Sequence, residues 1–145
     1  MVIKDFSMKD LGDASYILDI KIYRDRLRKL IGLSQSLYVD KVLGRFRMEQ
    51  SKKGFLPVRH GIHLSKSMSS KNPGEVKQMS NIPYVVAIGS LIYAMLCTRP
   101  KISFVVSITS KYQLNPGSEY WNAVKAVLTY LRRTKNMFLV YGGNP

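Results

Sequence analysis

One stretch of the sequence, from Tyr84 to Cys97, is almost continuously apolar and is interrupted only by Gly89 and Ser90. It is shorter than the roughly 20 residues that cross a bilayer as a helix. A helix that is apolar on all sides is normally buried in a protein core. The stretch therefore predicts a buried helix that ends before Pro100, and no membrane partner.

Two further helices are predicted after this one. The first runs from Ile102 to Tyr112, with an apolar side made by Ile102, Val105, Val106 and Ile108. The second follows the helix-breaking residues 115–118 and carries an apolar stripe of Trp121, Val124, Val127, Leu128 and Leu131. This spacing is typical of one side of an amphipathic helix. We therefore expect a three-helix bundle over residues 81–136, followed at 137–145 by a short strand without its partners.

The first 50 residues have a different periodicity. Leu18, Ile20 and Ile22 alternate with polar residues, which predicts a strand from Tyr16 to Tyr23. A charged turn over 24–29 and a return strand over 30–35 complete an antiparallel hairpin, and a helix with helically spaced apolar residues follows: Val39, Val42, Leu43 and Phe46. Residues 51–80 are rich in Ser, Lys, Gly, Pro and Asn and are predicted to be a linker. The expected fold class is α+β.

The charge is unevenly distributed. The chain of 145 residues has 23 Lys and Arg against 9 Asp and Glu, a formal net charge of +14. Residues 1–50 have a net charge of +3, whereas residues 51–145 have +11 and contain only two carboxylates, Glu75 and Glu119. A surplus of this kind favours nucleic acid as a partner. The alternative is a free-standing basic domain that binds an acidic protein.

Metal-dependent or cysteine-based chemistry is not indicated by the motifs. Polymerases and nucleases hold Mg²⁺ with clustered carboxylates, and no such cluster is expected after Glu49. His60 and His63 lack a neighbouring Cys or carboxylate, so no metal is assigned to them. Cys97 is expected to be a small buried hydrophobe, and Gly142-Gly143 a turn. An autonomous metal-dependent polymerase or nuclease is therefore disfavoured.

Several motifs, taken in order along the chain, resemble copia-type LTR-retrotransposon polyproteins. In the first half these are Phe6-Ser-Met-Lys-Asp-Leu-Gly12, Tyr16-Ile-Leu-Asp-Ile-Lys-Ile-Tyr-Arg-Asp-Arg26, Leu33-Ser-Gln35 and Tyr38-Val-Asp-Lys-Val-Leu-Gly-Arg-Phe46. In the second half they are Ile82-Pro-Tyr84, Ala87-Ile-Gly-Ser-Leu-Ile-Tyr-Ala-Met-Leu-Cys-Thr-Arg-Pro100, Asn115-Pro-Gly117, Trp121-Asn-Ala-Val-Lys125 and Tyr130-Leu-Arg-Arg-Thr-Lys135. The matching region lies between the polymerase active site and the RNase H domain.

This resemblance implies a domain order and a set of partners. Residues 1–50 would be the end of the reverse-transcriptase palm with a primer-grip hairpin, 81–136 the thumb or connection, and 137–145 the strand leading toward RNase H. Both sets of catalytic carboxylates would lie outside the chain, so we expect no activity or cofactor in it and Mg²⁺ only in the full-length enzyme. The implied partners are an RNA/DNA template-primer duplex and the remaining polyprotein. The implied location is intracellular, in cytoplasmic virus-like particles or the nucleus.

The resemblance also suggests which residues contact nucleic acid. Phosphates are held by Lys and Arg on helix faces and turns, and the candidates are Lys111, Lys125, Arg132 and Arg133, followed by Arg24 and Arg26. Tyr16 and Ile20 are added from the primer-grip hairpin. The sequence departs from the family pattern at Asp19, where the family commonly has Gly, and at Lys101, where it usually has Asp. An acidic Asp19 would repel a phosphate backbone.

Overall fold

The computed structural model describes residue 7 and residues 9–58 and 63–143. Within these residues the strands are β1 (Tyr16–Ile17), β2 (Ile20–Asp25), β3 (Leu30–Ser34) and β4 (Leu139–Gly142). The helices are α1 (Ser36–Arg45), α2 (Pro73–Ser80), α3 (Tyr84–Cys97), α4 (Ser103–Ser110) and α5 (Ser118–Thr134). Single 3₁₀ turns occur at Lys66–Met68 and Pro100–Ile102. The α+β class is confirmed, with a strand-rich N-terminal part and a helical region.

The strand predicted from Tyr16 to Tyr23 is divided in two. Leu18 and Asp19 form a two-residue turn between β1 and β2, with φ values of 48° and 64°. Positive φ at both central positions is the requirement of a type I′ hairpin turn, which glycine and asparagine usually occupy. The apolar alternation continues through the turn, so the sequence contains no signal of a break here. Lys41 of α1 donates to the Asp19 carboxylate at 2.8 Å and neutralises its charge.

The prediction that the C-terminal strand lacks partners is wrong. β4 pairs antiparallel with β3, with Ile31 opposite Tyr141 and Leu33 opposite Leu139, in a sheet of order β1-β2-β3-β4. Gly32 permits the close approach of this end of the chain, since a Cβ there would lie 3.1 Å from the Phe138 ring. The pattern of one strand cannot identify a partner that lies so far away along the chain.

Residues 51–80 are expected to be a linker, but their described part contains α2 and packs against the helical core through Val58, Leu64 and Met79. The Asn72 side chain accepts from the Glu75 N–H at 2.9 Å, and Pro73 occupies the first turn. These are standard features of a helix start, but the polar composition of the surrounding residues favoured a linker. Ser70 donates to the Pro116 carbonyl at 2.8 Å, so this segment is fixed near the start of α5.

One hydrophobic core is shared by α1, α3, α4 and α5. The apolar stripes predicted for α1 and α5 both face it, and its fully enclosed side chains include Val39, Leu43, Ile88, Leu91, Ile102, Val106, Val124, Val127, Leu128 and Leu131. Tyr84, at the start of α3, donates to the Thr109 carbonyl at 2.8 Å. Burial raises the pKa of this tyrosine, so its hydroxyl stays protonated and remains a donor.

Arg99 is 5% exposed and forms its hydrogen bonds with neutral groups. Its Nε donates to Thr134 Oγ1 at 3.1 Å, its Nη2 to the Thr134 carbonyl, and its Nη1 to Thr98 Oγ1 at 3.0 Å. Thr98 in turn donates to Gln35, which separates β3 from α1. Burial lowers the pKa of the guanidinium, which still remains charged at neutral pH. The ends of α3 and α5 and the start of α1 therefore meet at one polar network.

Two glycines provide a matched test of this packing. A Cβ at Gly117 would collide with the backbone carbonyl of Met68, whereas a Cβ at Gly89, inside α3, would meet open space. We expect Gly117→Ala to lower the free energy of unfolding by roughly 1–3 kcal/mol because backbone must move to accommodate it. Gly89→Ala should raise that free energy by about 1 kcal/mol through helix propensity. Urea denaturation followed by circular dichroism measures both changes, and equal effects would contradict the close approach of Met68 to Gly117.

Candidate nucleic-acid interface

Residues 52–56, here called the strap, cross the outer side of α5. The Gly54 N–H donates to the Thr129 carbonyl at 3.0 Å. A Cβ at Gly54 would lie 2.5 Å from Thr129 Oγ1 and 3.1 Å from the Tyr130 backbone nitrogen. Only glycine allows the strap to lie this close to the helix. The strap is therefore fixed to α5 at its central residue.

An open groove of about 600 Å³ lies between the strap and α5. Its basic residues are Lys52 and Lys53 from the strap and Lys125 from the helix. Its other lining residues are Met48, Gly54, Phe55, Leu56, Val58, Asn122, Ala126 and Thr129. Asn122, Lys125 and Thr129 are spaced three and four residues apart and so share the side of α5 opposite its apolar stripe. We call this feature the strap groove.

Arg133 extends the positive charge beyond the groove. Its guanidinium carbon lies 3.8 Å from the centre of the Phe55 ring, which is a cation–π contact. Arg132 and Arg133 occupy the last turn of α5, where positive charge is favourable next to the helix C-terminus. The last turn of the helix and the strap thus carry cations on the same part of the surface.

Among the residues that the structure describes, no carboxylate lines the strap groove. The four ion pairs found in the same part of the chain join Arg26 to Asp13, Arg28 to Asp25, Lys41 to Asp19 and Lys135 to Asp40. Lys52, Lys53, Lys125 and Arg133 take part in none of them. With no carboxylate partner among the described residues, these four charges are available to an external anion, and Lys and Arg of this kind are the usual contacts to nucleic-acid phosphates.

The predicted phosphate contacts on the helices are only partly brought together. Lys125 lines the strap groove, and Arg133 stacks on the strap at Phe55. Arg132 is half-buried in the same helical turn as Arg133. Lys111 is exposed at the C-terminal end of α4 and is not a lining residue of the groove.

The predicted hairpin residues form a separate region. Arg24 and Arg26 line a shallow cavity of about 310 Å³ together with Asp25. Arg26 donates to Asp13 at 2.9 Å, so part of its charge is balanced internally. Tyr16 lies opposite Lys21 in the β1–β2 pair. In that pair Ile17 and Ile20 flank the Leu18–Asp19 turn, and both side chains are at least partly exposed.

Three residues of this interface, Lys52, Lys53 and Phe55, were not predicted as site residues because they lay in the expected linker. A signal was present, since two adjacent lysines are followed by a glycine and an aromatic residue. Basic residues interleaved with aromatic ones are a feature of nucleic-acid-binding segments. What the sequence could not show is that Gly54 fixes this segment against α5.

The histidine pair, the cysteine and the apolar helix, which the sequence also offers as candidate features, do not form a second site among the described residues. Over the described residues, no group of three or more His, Cys, Asp or Glu side chains is arranged to hold a metal ion. Of the predicted histidine pair, His60 lies outside those residues and His63 is exposed. Cys97 is a free, half-buried thiol. Among the described helices, none is by itself long and apolar enough to span a membrane. Helices α2 and α3 reach that length and composition only when taken together, and a bend of 54° separates them.

Comparison with known proteins identifies relatives over most of the chain. Over 141 residues, 97% of its length, the chain is 45% identical to the retrovirus-related Pol polyprotein from transposon TNT 1-94 of Nicotiana tabacum. Over 129 residues, 89% of its length, it is 33% identical to the retrovirus-related Pol polyprotein from transposon RE2 of Arabidopsis thaliana. A putative transposon Ty5-1 protein of Saccharomyces cerevisiae is 28% identical over 138 residues, 95% of this chain.

The chain spans less than half of the length of each of these relatives. The aligned segment makes up 11% of the Nicotiana polyprotein, 8% of the Arabidopsis polyprotein and 42% of the yeast protein. No family model matches the sequence, and no solved structure matches it.

The contact between the strap and α5 can be tested by substitution. Gly54→Ala places a methyl group against Thr129 Oγ1 and the α5 backbone, so we expect the free energy of unfolding to fall by roughly 1–3 kcal/mol. Thr129→Ala in the same chain removes the hydroxyl and should restore part of the loss. Thermal and urea denaturation provide the measurement. An unchanged stability of Gly54→Ala would show that the strap does not lie on the helix.

Proposed function

Because the homologues of this chain are copia-type retrotransposon Pol polyproteins, we propose that it contributes template-primer duplex binding to a reverse transcriptase and is not catalytic by itself. The observation that carries this proposal is the strap groove, where three lysines lie and no described carboxylate joins the lining. Arg133 adds a fourth cation beside them. This arrangement suits a polyanion that is held by its backbone.

The expected mode of binding is electrostatic and independent of base sequence. Each phosphate that is neutralised by Lys or Arg releases condensed counterions, so the affinity falls as salt rises. A duplex exposes phosphates at regular intervals, and flexible lysine side chains on both walls of a groove can follow them without reading base edges. The strap and α5 would thus act as a thumb that holds the duplex in register for an active site elsewhere in the polyprotein.

The hairpin is the second part of the proposal. By its resemblance to a primer grip, Tyr16, Ile20, Arg24 and Arg26 would contact the primer strand. Arg24 and Arg26 have Asp25 and Asp13 beside them, which weakens their attraction for phosphate relative to the strap groove. Asp19 is less repulsive than its charge suggests because Lys41 neutralises it. We therefore rank the hairpin below the groove in its contribution to affinity.

The chemical step is assigned to other segments of the polyprotein. The described residues lack the donor set that would fit a Mg²⁺ pair, so we propose that the metal ions bind to palm and RNase H carboxylates outside them. The proposed partners are an RNA/DNA duplex and those flanking polyprotein segments, within a cytoplasmic virus-like particle or the nucleus. No catalytic residue is assigned to this chain.

Fluorescence anisotropy with a labelled RNA/DNA duplex tests the proposal. We expect binding at low salt, with log K falling linearly as log salt concentration rises. Combined Lys52→Ala, Lys53→Ala, Lys125→Ala and Arg133→Ala should weaken binding and reduce the salt slope by about one for each phosphate that the variant no longer neutralises. The effect should be the same for duplexes of unrelated sequence, because the protein touches only the backbone.

The matched control removes four charges elsewhere. Lys66, Lys71, Lys77 and Lys101 are exposed and lie outside the strap groove, so their replacement by Ala changes the net charge equally. This control should retain most of the salt slope. Equal losses in the two variants would show that the net charge, and not the groove, is responsible. Binding of an acidic protein in preference to the duplex at equal ionic strength would favour the alternative, a basic protein-interaction domain.

A further inference from the structure

Phe55 occupies an exposed position on the strap. It is 76% exposed, and exposing a large aromatic surface to water is unfavourable. The neighbouring Gly54 is fixed to α5 by its hydrogen bond to the Thr129 carbonyl. The backbone that carries Phe55 is thus fixed one residue away, and the ring is presented beside the lysines of the strap groove rather than buried among the core residues.

One face of the Phe55 ring is occupied by Arg133. The guanidinium carbon lies 3.8 Å from the ring centre, a distance at which a planar cation stacks on an aromatic face. Since the residue as a whole is 76% exposed, the other face of the ring is open to a ligand. The pair offers a flat aromatic surface, a flat cation and nearby ammonium groups in one place.

These groups match the parts of an unpaired nucleotide. A base stacks on aromatic rings or guanidinium planes, and its phosphates are held by Lys and Arg. Paired bases inside a duplex are already stacked on each other and do not present their faces to a surface side chain. The phosphate contacts of the groove therefore account for duplex binding, but an exposed aromatic ring within it has no role there.

We infer that Phe55 and Arg133 form a stacking site for one unpaired nucleobase, so that the strap groove takes single-stranded nucleic acid continuing from a duplex. This inference rests on the proposed duplex binding and adds a ligand class to it. The ligand is a single strand of DNA or RNA without base specificity, since every base has a stacking face.

Phe104 provides a contrast within the same molecule. It is 65% exposed on α4, and its surroundings are apolar, with Val58, Leu64 and Ile108 lining the adjacent cavity. In the described chain a guanidinium is seen over an aromatic ring only at Phe55. Exposure alone therefore does not distinguish Phe55, whereas its placement among four cations does.

The test compares three labelled ligands by fluorescence anisotropy: a blunt duplex, the same duplex with a short thymidine extension, and the duplex with an abasic extension of equal length. The full chain should bind the thymidine extension more tightly than the abasic one, by roughly fivefold to a hundredfold. Phe55→Leu should remove this preference, which is the ratio of two affinities measured on the same variant and so is separate from any change in blunt-duplex affinity that loss of the groove residue causes. Arg133→Lys, which keeps the charge but not the plane, should reduce the preference.

Phe104→Leu is the matched control, since it removes an aromatic ring of similar exposure and should keep the preference. Equal affinity of the unmodified chain for thymidine and abasic extensions, with the blunt duplex still bound, would overturn the stacking site and leave the proposed function intact. Failure to bind any duplex at low salt would overturn the proposed function instead. In that case a preference for a thymidine over an abasic single strand, abolished in Phe55→Leu, would still support the stacking site.

Discussion

The arrangement of the sheet and the helices depends on the hydrogen bonds made by the buried guanidinium of Arg99. It bonds to both the hydroxyl and the carbonyl of Thr134, and so completes the hydrogen bonding at the end of α5 just before the chain turns into β4. Through Thr98 it reaches Gln35, the residue between β3 and α1. A buried charge is tolerated only when its donors are satisfied, and here groups at the ends of α3 and α5 accept from the guanidinium, while Thr98 connects it to Gln35 at the third junction. The sheet and the helices are held together at this network.

Helix α5 connects this core to the candidate interface. Its apolar stripe packs against α1, α3 and α4, while its opposite side carries Lys125, Thr129 and Arg133. The strap lies on that second side, and it can do so because Gly54 has no side chain. Because the helix is fixed on its core side, the backbone positions from which Lys125 and Arg133 extend keep a constant spacing. A groove built in this way can hold a regular polyanion without any base-reading residues.

The sequence alone was sufficient to predict those helices whose residue spacing and breaking residues lie within or next to the helix itself. The stripes of α1 and α5, the apolar run of α3 and the breaker before α5 all depend on spacing within one helix, and the structure has these helices close to the expected positions. The features that were missed depend on distant contacts or on backbone conformation. Leu18 adopts a left-handed turn conformation that its residue type does not favour, and β4 finds its partner far away along the chain. Likewise, Lys52 and Phe55 become part of a site only because Gly54 meets α5.

The pairing of β3 with β4 also bears on the order in which the molecule folds. Leu30 is matched with Gly142, so all the residues between them must be synthesised before β3 gains its second neighbour. Contacts between residues so far apart form late because a long loop has to close first. The contacts among α3, α4 and α5 are much closer in sequence and can form earlier. Until β4 is present, one edge of β3 is unpaired; once β4 has paired, that edge is covered and β4 becomes the edge strand of the sheet in place of β3.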